Sequence, residues 1–436
     1  MRRATLTLLG AVLLAATAAA QDAPRNAGDS LRLAELHADA ARLDPRQRQL
    51  RLQESATNLR LRSIASERLP TLSVNGQTQY QSDVTRIAAP IPGATFPSPP
   101  HDTYDAHLGA EQSLFDPAAA PRRAVERARL AESQAQLRAT LFPLRSEITE
   151  SFFAAASLQQ RTAETDATIT DLSAQLMEVV ARFREGAALP GDTAAIAATL
   201  LQRRQDRLQL SAERASALAR LSVLVGRSIG DREPLVVPDL AARTAGAMDS
   251  LDRLRVRPEY EQFSATRERL ARQENVAEAR ERPRISAYGR LGYGRPGLNV
   301  MSTSSQTYWL AGLQLRWTPF NWGTVSRDRE LLEIEREIVA TNEAAFTRAL
   351  RRAVQPSLAT VTYLDSALAL DERIIALRER IVREAQAQLR EGVITAATYV
   401  DRTTDLFTAR VRRAQHRVEL EQARATLLDT LGLEVP

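Results

Sequence analysis

The chain has 436 residues and a formal net charge of +5, from 58 basic residues and 53 acidic ones. All the basic residues are arginines, and they alternate with acids at helical spacing, which is typical of solvated helix faces and argues against nucleic-acid binding. The absence of cysteine excludes disulfides, thiolate metal sites, a cysteine nucleophile and a lipid anchor on an N-terminal cysteine.

The first segment of the chain, residues 1–20, is typical of a secretory signal peptide. Arg2 and Arg3 precede an apolar run from Leu6 to Ala20 that ends in small residues. The alternative is a retained membrane anchor, but the run is shorter than the ~20 residues that a spanning helix needs. We therefore expect an exported chain that neither a membrane helix nor an acyl chain anchors.

The remaining sequence repeats one unit, over residues 30–226 and 250–433, with a linker at 227–249. Pro45 in the first copy corresponds to Pro258 in the second, an offset of 213 residues. Further along, the Arg-Glu-Gly motif at 184–186 recurs at 390–392, an offset of 206. The offset changes by seven residues between these points (213 − 206), so a loop of variable length lies inside a duplicated framework.

Long helices are predicted in both copies. Apolar residues recur three and four positions apart, and such narrow stripes favour coiled-coil packing over burial in a thick core. The pattern predicts one helical hairpin over about 122–225 and another over about 327–431, with tips at Gly186 and Gly392. Pro143 could kink the first hairpin. An example of the stripe is Leu370, Ile374, Leu377 and Ile381.

Ahead of each hairpin the period changes to two, which predicts four strands at about 71–84, 103–116, 284–294 and 306–318. In the first strand, Leu72 and Val74 alternate with Ser73 and Asn75, so one face can meet lipid and the other water. Four strands cannot close a barrel within one chain. The predicted fold class is mainly α, with long coiled-coil hairpins and a membrane β-barrel portion.

Aromatic side chains cluster in and beside the predicted strands. Aromatics at strand ends suit the boundary between lipid headgroups and hydrocarbon, and the alternative is an ordinary hydrophobic core. The candidates for membrane-interface aromatics are Tyr80, Tyr104, Tyr308, Trp309, Trp317, Phe320 and Trp322.

No motif indicates an enzyme, a metal or a cofactor. The segment from Gly292 to Gly297 matches G-x-G-x-x-G, but no helix begins at its last glycine, as a dinucleotide site requires. A Walker phosphate loop needs a lysine that the chain lacks. The four histidines lack metal-ligand spacing, and no catalytic triad or carboxylate pair stands out. We expect a protein that is not an enzyme.

An acid follows each hairpin tip at a different distance. Asp192 comes six residues after Gly186, and Asp401 comes nine after Gly392. Asp192 could cap the helix that descends from the tip, whereas Asp401, further into its helix, has less need to be a cap. At the offset of 206, neither acid has an acidic counterpart in the other copy.

These motifs, in this order and spacing, resemble the TolC-type outer membrane efflux proteins over residues 30–433. The residues concerned are Leu-Asp-Pro ending at Pro45, Arg-Phe-Arg-Glu-Gly at 182–186, Leu-Val-Gly at 224–226 and their counterparts in the second copy. The resemblance implies a homotrimer that closes a twelve-stranded barrel in the outer membrane, with a helical tunnel in the periplasm. It implies an exit duct of a tripartite efflux pump or a type I secretion system.

The resemblance also implies partners at the hairpin tips. A periplasmic adaptor protein, joined to an inner-membrane pump, would dock there, and Asp192 and Asp401 match positions where acids line the aperture and favour cations. Pro190-Gly191 departs from the family pattern at the first tip. The alternative function is an exported periplasmic coiled-coil scaffold without a pore. The candidates for adaptor contact are Arg184, Gly186, Leu189, Arg390, Gly392, Val393 and Thr395.

Overall fold

The computed structural model describes residues 30–85, 98–249 and 255–435. The predicted signal peptide lies outside these residues. The elements in chain order are α1 (Leu33–Leu43), α2 (Gln47–Ser66), β1 (Thr71–Tyr80), β2 (Asp102–Phe115), α3 (Ala119–Leu141), α4 (Pro143–Arg184), α5 (Pro190–Val225), α6 (Ala241–Asp249), α7 (Pro258–Ala279), β3 (Arg284–Arg295), β4 (Gln306–Arg316), α8 (Thr324–Arg390) and α9 (Ala396–Leu431).

Two long helical hairpins dominate the molecule. In the first, α3 and α4 together ascend to the tip and α5 returns. In the second, α8 alone has 67 residues, which corresponds to a length of roughly 100 Å. Pro143 begins α4, and a single residue separates α4 from α3. Proline has no N–H to continue the hydrogen bonding of α3, but the first position of a helix needs none. Pro356, by contrast, lies inside an uninterrupted α8.

The element bounds differ from the sequence expectation by a few residues. The first hairpin begins at Ala119, and the first strand ends at Tyr80. The segment expected to be a linker contains helix α6, and Leu235 forms an isolated parallel bridge with Leu31. That segment is therefore packed against the body of the protein.

The four strands form one antiparallel sheet in the order β1-β2-β3-β4. Successive strands are directly paired, and the β2–β3 register shifts between Ser113 and Phe115. Within the described ranges, β1 and β4 each pair with a single strand, so each has one edge without a partner strand. None of the helices in the described ranges is long and apolar enough to cross a membrane.

The buried side chains form two separate clusters along the helices. The larger lies near the middle of the molecule, where α1, α4, α5, α6, α8 and α9 meet, and Phe152 and Phe153 are fully buried in it. The smaller lies near the hairpin tips and joins α4, α5, α8 and α9 through residues that include Ile196 and Leu389. Burial of each large apolar side chain contributes about 1.5–3 kcal/mol, so these clusters fix both the waist and the tips.

Candidate functional site

One face of the sheet is apolar and exposed. Val74, Leu108, Leu291 and Trp309 are paired in one row across all four strands. Val74 is 84% exposed and Trp309 is 74% exposed, although both are large and apolar. A continuous exposed apolar surface of this kind marks contact with another apolar phase.

The expected interface aromatics divide between the two faces and the strand ends. Tyr80 and Tyr104 lie near the end of the sheet that carries the two strand-to-strand loops, on the same face as Trp309. Trp317, Phe320 and Trp322 follow the opposite end of the sheet and are exposed. Tyr308, expected in this set, lies on the polar face instead, because side chains alternate along a strand and Trp309 points to the apolar one.

The polar face carries a hydrogen-bonded row next to the apolar one. The Tyr308 hydroxyl donates to Asp105 Oδ1, and His107 Nδ1 lies 2.5 Å from Asp105 Oδ2. The Asn75 amide Nδ2 is 3.3 Å from His107 Nε2. These four side chains join β1, β2 and β4, and the phenol ring of Tyr308 lies over Gly292 on β3. The network fixes the polar wall of the sheet.

Replacing Gly292 by alanine should destabilise the sheet by about 1–3 kcal/mol, the usual cost of overpacking. The added methyl group would lie 2.5 Å from Tyr308 Cζ and 2.8 Å from His107 Cβ. The measurement is the midpoint of thermal unfolding of the purified protein. Gly289→Ala on the same strand is the control, because its methyl group meets only Leu310 O at 3.7 Å. Equal midpoints for the two variants would contradict the prediction.

Both hairpin tips use the same backbone turn. Gly186 and Gly392 have φ of 75° and 71°, a region that glycine adopts without strain. The residue after each glycine donates a hydrogen bond of 2.8 Å back to a helix carbonyl, Ala187 to Arg182 and Val393 to Gln388. This pattern ends a helix by satisfying its last carbonyls. The spacing of the Arg-Glu-Gly motif therefore corresponds to a fixed turn.

Asp192 bonds to both tips. Its Oδ2 accepts a hydrogen bond from Leu189 N at 3.0 Å, which caps α5. Its Oδ1 accepts one from Ala396 N at 2.9 Å, the first residue of α9. A carboxylate at two helix N-termini satisfies two amides that have no partner within their helices. The structure thus places Asp192 as a cap and a tie between the hairpins.

Further contacts join the two hairpins near the tips. Arg390 pairs with Glu178, with Nε and Oε1 2.8 Å apart. Arg182 Nη1 donates to Leu389 O at 2.9 Å. Together with Asp192, these contacts hold α8 and the start of α9 against the first hairpin.

The other candidate tip residues differ in what they contact. Arg184, Leu189 and Val393 are exposed. The Thr395 hydroxyl accepts a hydrogen bond from Thr398 N at 3.3 Å and so caps α9. Asp401 lies in the second turn of α9, is exposed, and has no ion-pair partner among the described residues.

Three features of the tips were not anticipated from the sequence. These are the contacts between hairpins made by Glu178, by Arg182 and by the second oxygen of Asp192. Helical periodicity predicts the helix face on which a residue lies, but not which residue of another helix lies opposite it. The one available signal was the repeat itself, which makes Arg184 and Arg390 counterparts; in the part of the chain that the structure describes, Arg390 forms an ion pair and Arg184 does not. Among the described residues, no group of three or more His, Cys, Asp or Glu side chains could hold a metal ion.

Comparison with known proteins identifies the second half of the chain. Residues 254–433 match the profile of a family described as outer membrane efflux protein. These residues make the second half of the chain similar to the outer membrane efflux protein family. The family resemblance expected from the sequence is thereby confirmed for this part of the chain. A search of curated proteins found no match to the chain.

Solved structures extend the likeness to nearly the whole chain. The channel CusC is 17% identical with a TM-score of 0.63, and the match covers 96% of each chain. VceC of Vibrio cholerae is 14% identical with a TM-score of 0.61, covering 92% of this chain and 96% of its own. MtrE of Neisseria gonorrhoeae, an outer membrane channel described in its open state, is 17% identical with a TM-score of 0.61, covering 92% and 89%. These likenesses confirm the fold class.

Proposed function

We propose that this chain forms the exit duct through which an inner-membrane pump, acting through a periplasmic adaptor, expels its cargo from the cell. The pump belongs to a tripartite efflux system or a type I secretion system. The observation that carries the proposal is the sheet, which has one exposed apolar face, one polar face and two free edges.

The free edges require further strands. Strand β1 is exposed along its whole length, and its outer edge presents unpaired N–H and C=O groups. Within a lipid bilayer such groups must be paired, so an open four-stranded sheet is not viable there. Pairing of β4 with β1 of the next chain, repeated three times, closes a barrel of twelve strands. Its radius at the backbone would be roughly 12 Å, wide enough for a water-filled lumen lined by the polar face.

The hairpin tips form the periplasmic entrance in this proposal. Arg184, Leu189 and Val393 are exposed and available to an adaptor. Gly186 and Gly392 shape the turns, while Arg390 and Thr395 would have to exchange contacts within the chain for contacts to the adaptor. Asp401 is the acid that remains free to line the aperture, where three carboxylates would attract cations.

The second candidate is a periplasmic scaffold of coiled coils without a pore. The exposed helical stripes alone fit that function. It leaves the apolar row through Val74 and Trp309 in water, however, where an exposed apolar patch of this size favours aggregation. The scaffold would be soluble without detergent, whereas the duct requires detergent.

Conductance in planar bilayers tests the duct directly. Purified protein in detergent should be trimeric and should form discrete pores that pass potassium chloride. Asp401→Ala should keep the pores and lower their preference for cations. A protein that stays soluble without detergent and gives no pores, with or without Asp401→Ala, would establish the scaffold instead.

A further inference from the structure

The contact between the two hairpins of one chain provides a template for the contact between chains. Near the tips the two copies are related by the offset of 206 residues, so each residue of the first hairpin has a counterpart in the second. In a ring of three chains, the second hairpin of one chain lies beside the first hairpin of the next. The surfaces that meet there are the counterparts of those that meet within a chain.

Within the chain, a polar face of α4 meets α8 and α9 around a cavity of about 610 Å³. Besides Leu172 and Ala174, the α4 residues that line it are Thr168, Asp171, Gln175 and Glu178. Their counterparts on α8, at the offset of 206, are Ile374, Leu377, Ile381 and Glu384. The first three are the apolar stripe predicted from the sequence, and all three are exposed in the single chain.

The opposite side of the contact within the chain has matching counterparts. Arg383 on α8 and Phe407 on α9 line the same cavity, and Arg390 forms its ion pair with Glu178. At the offset of 206 these positions correspond to Met177, Leu201 and Arg184. Met177 is 70% exposed and Leu201 is 62% exposed. Neither Arg184 nor Glu384 has an ion-pair partner among the residues described.

We infer that the apolar stripe Ile374, Leu377 and Ile381 of one chain packs on Met177 and Leu201 of the neighbouring chain. Glu384 then pairs with Arg184 of that neighbour, as Glu178 pairs with Arg390 inside the chain. Exposed apolar groups thus meet apolar groups, and an unpaired acid meets an unpaired base. The inference rests on the proposed function, because it needs a ring of three chains.

The two kinds of interface differ at the tips. The bond from Asp192 to Ala396 N has no counterpart between chains, because the corresponding residues are Thr398 and Pro190. Proline has no N–H to donate. The interface between chains therefore lacks the carboxylate–amide bond that joins the two hairpins within a chain.

Cross-linking tests the inference directly, because the chain has no cysteine of its own. The Arg184→Cys/Glu384→Cys variant, treated with a short bismaleimide in detergent, should be converted into covalent dimers and trimers on a denaturing gel. The matched control is Glu178→Cys/Arg390→Cys, which should react with the same reagent and still migrate as a monomer.

Each outcome decides one question. If light scattering gives a trimer and the control reacts, but Arg184→Cys/Glu384→Cys gives no product between chains, the inferred interface is wrong and the duct stands. If the protein is a monomer in detergent, the proposed function fails as well. As a second measurement, Glu384→Arg should lower the temperature at which the trimer dissociates, and adding Arg184→Glu should restore it. Absence of this rescue would contradict the ion pair.

Discussion

Replacing Asp192 by alanine should raise the open probability of the reconstituted channel. The substitution removes the hydrogen bonds to Leu189 N and Ala396 N. A hydrogen bond to a charged group contributes about 1.5–3 kcal/mol. If the closed state loses about 2 kcal/mol, its equilibrium with the open state shifts roughly 30-fold toward opening. Single-channel recording in planar bilayers measures this directly.

The controls distinguish two roles for Asp192, which either holds the two hairpins together or only lines the aperture. Asp192→Asn keeps one carbonyl acceptor for two donors, so its open probability should fall between the wild type and Asp192→Ala. Asp401→Ala should change the preference for cations and leave the open probability unchanged, since Asp401 has no ion-pair partner among the described residues. If Asp192→Ala and Asp401→Ala behaved alike in both measurements, Asp192 would be an aperture acid and the tie would be without effect.

The tip shows which features a single sequence can predict. Both glycines and both turns followed from a repeated motif, because a left-handed backbone position favours glycine largely independently of its surroundings. The cap formed by Asp192 was one of two alternatives that the sequence left open. Its bond to Ala396 was not foreseeable, because the two residues are 204 positions apart and meet only through the packing of two hairpins.

The strands show the same limit. Alternation predicted four strands and their two faces, because side chains of a strand must alternate. Alternation also places Tyr308 and Trp309 on opposite faces of the sheet. The expectation that both are membrane-interface aromatics rested only on the clustering of aromatic residues. The sequence could not indicate that Tyr308 would donate to Asp105, which lies two strands away in the sheet. Local periodicity thus predicts the face on which each strand residue lies, whereas contacts between strands depend on the register of the folded sheet.

A buried polar network at the waist of the molecule attaches α1 to the long helices. His37 on α1 places Nε2 3.1 Å from Thr149 Oγ1 and 3.2 Å from Arg145 O. Thr149 donates its hydroxyl hydrogen to Asp429 Oδ2 at 2.7 Å. The threonine oxygen is therefore an acceptor for His37, so Nε2 must carry the hydrogen. The other ring nitrogen, Nδ1, is buried without a hydrogen-bond partner.

This arrangement disfavours the charged form of His37. Burial, and then the nearby Arg145 guanidinium, lower the pKa of His37 from 6.5 to about 4. Protonation would place an N–H on Nδ1, where no acceptor is present. Asp429 has the opposite tendency, because burial raises the pKa of its carboxyl despite the Thr149 hydrogen bond and the Arg145 charge.

We expect acid to destabilise the protein through His37, in a window that these pKa values define. Above pH 6.5 the ring is neutral in both folded and unfolded chains, and stability is full. Between pH 6.5 and about 4 only the unfolded chain binds the proton, so the free energy of unfolding falls by about 1.4 kcal/mol per pH unit and by about 3 kcal/mol in all. Asp429 opposes this loss at the acidic end of the window, because its raised pKa makes the folded chain bind the proton first.

Urea unfolding of the wild type and of His37→Gln from pH 7.5 to 4.5 isolates the His37 contribution, since all other titrating groups are shared. The wild type should lose more stability than His37→Gln over this range, and parallel curves would show that His37 has the same pKa in both states.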